Sequence, residues 1–137
     1  MKWLARTDAT SISEAVCRAS GRTIEELRFP EPVEPWEVEN LEAAAILIDK
    51  CLHDGMRVSI IGDYDTDGVT ATAILYLMFT ALGATPDIRL PHRMSEGYGL
   101  SVNIVDEIVQ KNPNGLLITV DNGISAFDAV AHAKAAG

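Results

Sequence analysis

The chain has 137 residues, a hydrophobic content of 47% and a formal net charge of −9. This length is enough for one globular domain with a real core. The acidic balance argues against a surface that clamps nucleic acid by itself, because binding phosphates requires clustered Lys and Arg. No apolar stretch reaches the roughly 20 residues of a membrane span, and the N-terminal residues Met1–Arg6 lack a signal-peptide core. We therefore expect a cytoplasmic protein without a membrane partner.

The first part of the chain predicts a helical leader followed by a proline-rich connector. Two capping-box patterns indicate the starts of short helices, Ser11-x-x-Glu14 and Thr23-x-x-Glu26. Gly21 can end the first of these helices. Three prolines within Pro30–Pro35 preclude a helix there. We expect residues 1–36 to form this leader and residues 37–137 to form the main domain.

The main domain is predicted to alternate helices with strands. A helix over Trp36–His53 precedes three strands, Val58–Ile61, Asp87–Leu90 and Leu116–Val120. The strands are followed by helices over Val69–Leu82, Val102–Lys111 and Ala126–Ala136, the last two capped by Ser101 and Ser125. The helix over Val69–Leu82 is apolar on nearly all sides, so we expect it to be buried. This alternation is typical of an α/β fold, with a parallel sheet covered by helices on both faces.

Three aspartates stand at every second position behind the first strand. They are Asp63, Asp65 and Asp67, and Gly68 follows them. Carboxylate oxygens are the ligands that hard divalent cations such as Mg²⁺ and Mn²⁺ prefer. A helix N-cap would explain one of the three carboxylates but not all of them. The pattern therefore favours a metal-dependent active site.

A fourth aspartate follows the third strand, in Asp121-Asn122-Gly123. Taken alone, this tripeptide is typical of a turn. In parallel α/β sheets, however, ligands gather beyond the carboxyl ends of the strands. We therefore expect Asp121 to lie at the same edge of the sheet as the three earlier aspartates.

The loop after the second strand carries a third polar group of residues. His92 can exchange a proton, and Arg93 offers a planar fork that matches a phosphate. Glycines flank Tyr98 and would let the backbone approach a phosphate closely, and the segment reads Gly97, Tyr98, Gly99. The alternative is a solvated loop in which Arg93 pairs with Glu96.

The aspartate run also has interpretations other than this metal site. An EF-hand loop would need Glu at its twelfth position, where this chain has Ile74. The segment Asp65–Val69 resembles the opening motif of haloacid-dehalogenase-type phosphatases, with Asp65 as nucleophile. That motif places its nucleophile directly after the strand, whereas Gly62–Tyr64 intervene here, and it leaves Asp121 unexplained. A metal-stabilised domain without catalytic activity also stays open.

Three ordered motifs lie at Ile61–Thr70, at Pro91–Arg93 with Glu96–Leu100, and at Thr119–Ile124. Together they resemble the motifs of the RecJ-type exonucleases of the DHH phosphoesterase family. The resemblance implies a parallel three-layer αβα domain that binds two Mn²⁺ or Mg²⁺ ions. It also implies 5′-to-3′ cleavage of single-stranded DNA by a metal-activated water. Motif matching gives Asp63, Asp65, Asp67 and Asp121 as metal ligands, the last three also catalytic, and gives phosphate and substrate contacts to His92, Arg93, Gly97, Tyr98 and Gly99.

The chain ends at Gly137, before the Asp-His-His motif that names the family. We therefore expect a parent nuclease of DNA repair and recombination, and a segment that by itself has incomplete metal sites and little activity. We also expect an unpaired sheet edge that invites self-association. Within the family, hydrolysis of short oligoribonucleotides, cyclic dinucleotides or pyrophosphate is the alternative.

Overall fold

The computed structural model describes residues 8–137, so the segment Met1–Arg6 considered above lies outside the described residues. The chain divides into two compact units, Met1–Glu42 and Ala43–Gly137. The division of domains expected from the sequence stays a prediction. In the part that the structure describes, no helix is long and apolar enough to cross a membrane.

The first unit contains short helices whose starts follow the capping residues. They are α1 (Ile12–Ser20) and α2 (Ile24–Arg28), followed by a 3₁₀ turn at Pro35–Glu37. The Ser11 side chain accepts a hydrogen bond from the backbone N–H of Glu14 at 3.1 Å, and Thr23 and Glu26 form a complete capping box. Gly21 ends α1 in the left-handed conformation, with a φ of 68°. Both predicted helix starts are therefore confirmed.

The second unit is built on a parallel sheet, as the sequence predicted. Its elements continue as α3 (Leu41–His53, which begins at the boundary of the units), β1 (Val58–Ile61), α4 (Thr66–Ala81), β2 (Asp87–Arg89), α5 (Val102–Lys111), β3 (Leu116–Thr119) and α6 (Phe127–Ala135). The strand order is β2-β1-β3, and Ile60 of β1 lies opposite Ile88 and Ile118. All of β1 is buried, which explains its nearly continuous apolar sequence.

Alternate residues of β1 supply two separate hydrophobic cores. Ile61 packs into the core that contains Ile104 of α5 and Ala129 of α6. Val58 and Ile60 pack into the other core with Phe79 of α4, against which side chains of α3 also pack. Since successive strand residues point to opposite faces, α5 and α6 cover one face and α3 and α4 the other. The three-layer αβα arrangement is therefore confirmed.

Three predicted helix starts differ from the structure. The helix before the sheet begins at Leu41 rather than Trp36, because the 3₁₀ turn and a positive φ of 63° at Asn40 interrupt it. Helix α4 begins at Thr66 rather than Val69, since Asp65 caps it. The residue at the N-cap position of α6 is Ala126, without a side-chain hydrogen bond, so the predicted cap by Ser125 is wrong.

The prediction that α4 is buried is also wrong. Its buried residues are Gly68, Thr72 and Phe79, whereas Ile74 is 67% exposed and Leu77 is 66% exposed. A helix that packs on one face of a sheet buries only one stripe of its surface. Because α4 is apolar all round, its sequence does not indicate which stripe packs.

Asn112, at the C-terminal end of α5, ties two strands together. Its side chain is 4% exposed, and its Nδ2 donates to Ser59 Oγ at 3.0 Å and to Asp87 Oδ2 at 2.7 Å. These partners lie near the N-terminal ends of β1 and β2, whereas Asp63 follows the carboxyl end of β1. Removing this amide would leave two polar groups without the donor that now satisfies them.

We predict that Asn112→Ala lowers the free energy of unfolding by about 1–3 kcal/mol, measured by urea denaturation, because it leaves the buried Ser59 hydroxyl without this donor. Asn103→Ala is the matched control, since Asn103 is exposed on the same helix. We expect that control to stay within about 0.5 kcal/mol of the parent. Equal small losses for both variants would contradict the role of Asn112.

An ion-pair cluster holds the loop after β2. Arg89 pairs with Glu96 in the loop and, at 3.1 Å, with Glu107 of α5. The Arg89 guanidinium lowers the pKa of Glu96, and the backbone N–H of His92 lowers it further. Lys111 and Arg89 lower the pKa of Glu107. The loop is therefore held best when both carboxylates are charged.

This cluster predicts a loss of stability in acid. Because the folded pKa of Glu96 is lowered, its contribution is present above the unfolded carboxyl pKa of about 4.3 and is lost as pH falls through the folded value. Glu96→Gln should therefore flatten the fall in melting temperature below about pH 5. Asp49→Asn, an exposed change on α3, is the control. An unchanged pH profile for Glu96→Gln would contradict the expectation.

Candidate functional site

The carboxyl ends of β1 and β3 bring three of the four aspartates together. Asp63 and Asp121 each lie two residues beyond the end of a strand, and Asp65 precedes α4. One carboxylate oxygen from each of Asp63, Asp65 and Asp121 lies within 4.8 Å of the other two. Since β1 and β3 are neighbours in a parallel sheet, the segments that follow them meet at one edge.

Asp63 is the buried member of this group, with an exposure of 1%. Its Oδ1 accepts a hydrogen bond from the backbone N–H of Tyr64 at 2.7 Å. Its Oδ2 is buried and has no hydrogen-bond partner among the described residues. A buried carboxylate oxygen without a donor is costly, and a bound cation is the partner that would satisfy it.

Gly68 permits this close packing. A Cβ atom at position 68 would lie 2.6 Å from the backbone N and O of Asp63. The absence of a side chain therefore lets the first turn of α4 lie directly against the segment that carries the buried carboxylate. The glycine that closes the aspartate run thus has a steric role.

Asp65 has two roles that the sequence presented as alternatives. Its Oδ1 accepts from the backbone N–H of Gly68 at 3.0 Å and so caps α4. The same side chain belongs to the carboxylate group. A carboxylate has about four lone-pair positions, so a cap does not use up its capacity.

Asp121 is exposed and lies in the left-handed region, with a φ of 59°. Loss of hydration raises the pKa of Asp121, and the nearby carboxylate of Asp65 raises it further. Asp67 and Asp63 act in the same direction. The site therefore concentrates negative charge, which a divalent cation would neutralise.

Asp67 is not part of the group whose oxygens lie within 4.8 Å of one another. The alternation of side chains in an extended chain stops at Asp65, because α4 begins at Thr66. Asp67 lies in the first turn of that helix and influences Asp121 through its charge. Its proposed role as a ligand stays a prediction.

The loop after β2 reaches the same edge of the sheet. The guanidinium carbon of Arg93 lies 5.2 Å from the centre of the Tyr64 ring. The rings of Tyr64 and Tyr98 meet edge to face, with centroids 6.4 Å apart. Tyr98 Oη donates to the backbone carbonyl of Asp121 at 3.1 Å. The loop thus contacts both segments that carry the aspartates.

The other residues of this loop have contacts of their own. Glu96 pairs with Arg89 rather than with Arg93, so the solvated-loop alternative named the wrong partner. His92 is exposed, and its Nδ1 lies 3.0 Å from Ser95 Oγ. Gly97 and Gly99 have φ values of 81° and 72°, a conformation that favours glycine.

Sequence reasoning missed two residues that shape the site, Tyr64 and Asn122. Tyr64 supplies both the N–H that Asp63 accepts and the ring beneath Arg93. The Asn122 Nδ2 donates to the carbonyls of Ile61 at 3.1 Å and Val120 at 2.9 Å, and so bridges the ends of β1 and β3. Both residues lie within the sequence motifs described above, and this position was the feature of the sequence that could have identified them.

Comparison with known proteins identifies the family. Residues 57–137 match the model of the DHH family, N-terminal domain. The single-stranded-DNA-specific exonuclease RecJ of Escherichia coli (strain K12) is 37% identical over 105 residues, which is 75% of this chain. The RecJ of Thermus thermophilus is 40% identical over 94 residues, or 69% of this chain.

Solved structures agree with this match. A crystal structure of exonuclease RecJ bound to manganese has a TM-score of 0.66 and 38% identity over 72% of this chain. A crystal structure of RecJ from Thermus thermophilus in complex with Mn²⁺ has a TM-score of 0.57 and 32% identity over 82% of this chain. The match covers 25% and 15% of those two chains, and 18% and 14% of the two curated relatives. The chain belongs to the DHH family, whose N-terminal domain it carries at residues 57–137.

Proposed function

We propose that Asp63, Asp65 and Asp121 bind a divalent cation, Mn²⁺ or Mg²⁺, at the carboxyl edge of the sheet. The observation that carries the proposal is the buried Oδ2 of Asp63, which has no hydrogen-bond partner in the described part of the chain. It belongs to a carboxylate that has an oxygen within 4.8 Å of oxygens from two further carboxylates. An oxygen-only donor set of this kind suits hard divalent cations.

We further propose that the site serves a metal-dependent phosphodiesterase, a RecJ-like 5′-to-3′ exonuclease acting on single-stranded DNA in repair and recombination. Its support is that the curated relatives described above are named as single-stranded-DNA-specific exonucleases. Two similar structures contain manganese. The matched region is only 18% of the Escherichia coli relative, so this activity is proposed for a longer protein. A cytoplasmic location stays a prediction.

The proposed roles follow from the positions of the side chains. When bound, the cations would lower the pKa of a water molecule and stabilise the charge that develops on the phosphate. Asp63, Asp65 and Asp121 would hold the first cation, with Asp67 as a further ligand from the family resemblance. The second cation of the proposed pair would need donors beyond these residues.

The loop after β2 would hold the phosphate. The described contact of Arg93 is an aromatic ring rather than a carboxylate, so its N–H donors can turn toward an anion. His92 lies beside it, and the backbone at Gly97, Tyr98 and Gly99 would approach the substrate. The positive charge of Arg93 partly offsets the negative charge of the aspartates at this edge of the sheet.

The alternative reactions differ in their support. Membership in the DHH family leaves the haloacid-dehalogenase-type reaction at Asp65 without support. Short oligonucleotides, cyclic dinucleotides and pyrophosphate share the phosphoester chemistry, and turnover assays with each would separate them from single-stranded DNA. A non-catalytic domain would bind the metal without turnover of any of these substrates.

We propose that the 137-residue chain by itself binds metal weakly and has little activity, because its three clustered carboxylates would serve one cation and leave the second cation of the proposed pair without donors. In the described residues, β3 pairs only with β1, which leaves its other edge unpaired. Self-association through that edge stays a prediction, and analytical ultracentrifugation would test it.

We predict that Asp121→Asn has opposite effects on metal binding and on stability. Asn tolerates the left-handed backbone at this position, so the change removes charge without adding backbone strain. Calorimetric titration should show Mn²⁺ affinity lowered by at least about tenfold. The melting temperature without metal should rise, because the repulsion among the aspartates is reduced.

Asp54→Asn is the matched control, since Asp54 is exposed in the turn after α3. It should leave the Mn²⁺ affinity of the chain unchanged. If Asp121→Asn bound Mn²⁺ as tightly as the parent chain, the proposed site would be wrong.

For catalysis, we predict that Asp65→Asn lowers kcat by at least about a hundredfold in a protein of the relatives' length that carries this domain. Asn also caps helices well, so α4 should keep its start and the loss should report the missing charge. Release of nucleotides from labelled single-stranded DNA measures turnover, and a filter assay measures binding. We expect binding of the DNA to persist. A kcat within tenfold of the parent would rule out the role of Asp65.

A further inference from the structure

Tyr98 makes a hydrogen bond to a residue outside its own loop. Its side chain is 65% exposed, yet its Oη donates to the backbone carbonyl of Asp121 at 3.1 Å. The two residues are 23 positions apart and follow different strands. This bond connects the loop after β2 to the aspartate that follows β3.

The backbone of Asp121 is held on both sides of its Cα atom. On one side, the Asn122 Nδ2 donates to the carbonyl of Val120, in the peptide group before Asp121. On the other side, Tyr98 donates to the carbonyl of Asp121 itself, in the peptide group after it. Because these two peptide planes set φ and ψ, they also set the direction of the Cα–Cβ bond. Asp121 has a φ of 59°, a region that non-glycine residues seldom occupy.

Tyr98 is in turn connected to the other side of the carboxylate group. Its ring meets the Tyr64 ring at an interplanar angle of 86°. The backbone N–H of Tyr64 donates to Asp63 Oδ1. Contacts therefore run from Asp63 through Tyr64 and Tyr98 to Asp121, around the edge of the group.

We propose that Tyr98 is a positioning residue whose hydroxyl holds the Asp121 carboxylate in place beside Asp63 and Asp65. The inference rests on the proposed cation site and adds to it a residue that keeps an exposed ligand, Asp121, in position. A left-handed residue at the end of a strand has other backbone conformations available, and a hydrogen bond to its carbonyl disfavours them. Tyr98 then acts on the cation through Asp121 and not as a ligand.

The test measures Mn²⁺ affinity in the 137-residue chain by electron paramagnetic resonance, with Tyr98→Phe as the main variant. Loss of one such hydrogen bond should weaken Mn²⁺ binding by about threefold to tenfold. The spectrum of the bound ion should change as well, since its zero-field splitting reports ligand geometry. Tyr98→Ala should weaken binding to a similar degree, because the hydroxyl carries the effect.

Tyr76→Phe is the matched control. Tyr76 lies ten residues after the start of α4, about 15 Å along the helix from the carboxylates. It should leave both the affinity and the spectrum unchanged. The melting temperature of both variants is measured without metal, so that a loss of Mn²⁺ affinity can be separated from a general loss of stability.

The outcomes separate the two proposals. If Asp121→Asn weakens binding and Tyr98→Phe does not, the positioning role is overturned and the cation site stands. If Tyr98→Phe binds normally while Tyr98→Ala loses affinity, the ring packs but the hydroxyl does not position Asp121, and the inference is overturned. If neither Asp121→Asn nor Tyr98→Phe weakens binding, the cation site itself fails, and the positioning role fails with it.

Discussion

Parallel pairing of β1 with β3 is the constraint on which the rest of the site depends. The register places Ile61 opposite Thr119, so β1 and β3 end at the same level of the sheet. Two residues later they present Asp63 and Asp121. An antiparallel arrangement of the same strands would separate these carboxylates by the length of the sheet. Strand direction, which the alternating helices enforce, therefore decides whether the aspartates can act together.

The same arrangement concentrates like charges. Asp63 is buried, Asp65 caps a helix and Asp121 has a raised pKa, so the three carboxylates lie in different environments. Folding alone would not favour such a cluster, because each charge makes its neighbours harder to ionise. Clusters of this kind occur where a protein binds something positive. The aromatic contacts of Tyr64 and Tyr98 then form one wall of the site.

Much of this fold could be predicted from the sequence, because strand β1 is a short apolar run and helix α5 has clear helical periodicity and a Ser101 cap. The bounds of both were predicted as they occur. The start of α4 was misplaced because Asp65 caps the helix through its side chain, and a run of aspartates does not show which member caps. The burial of α4 depends on what lies opposite it, which a uniformly apolar sequence cannot indicate. The meeting of Asp63, Asp65 and Asp121 could be predicted because ligands gather beyond the carboxyl ends of parallel strands. The contacts of Tyr98 and Asn122 depend on loop conformations that no pattern encodes.

The dual role of Asp65 has a thermodynamic consequence. The Asp65 carboxylate both caps α4 and belongs to the acidic group. Binding of a cation at this group and formation of the first turn of α4 are therefore linked equilibria. A higher cation concentration would then reduce fraying at the start of α4, and amide exchange around Gly68 would slow. The start of α4 would report cation availability through its own local stability.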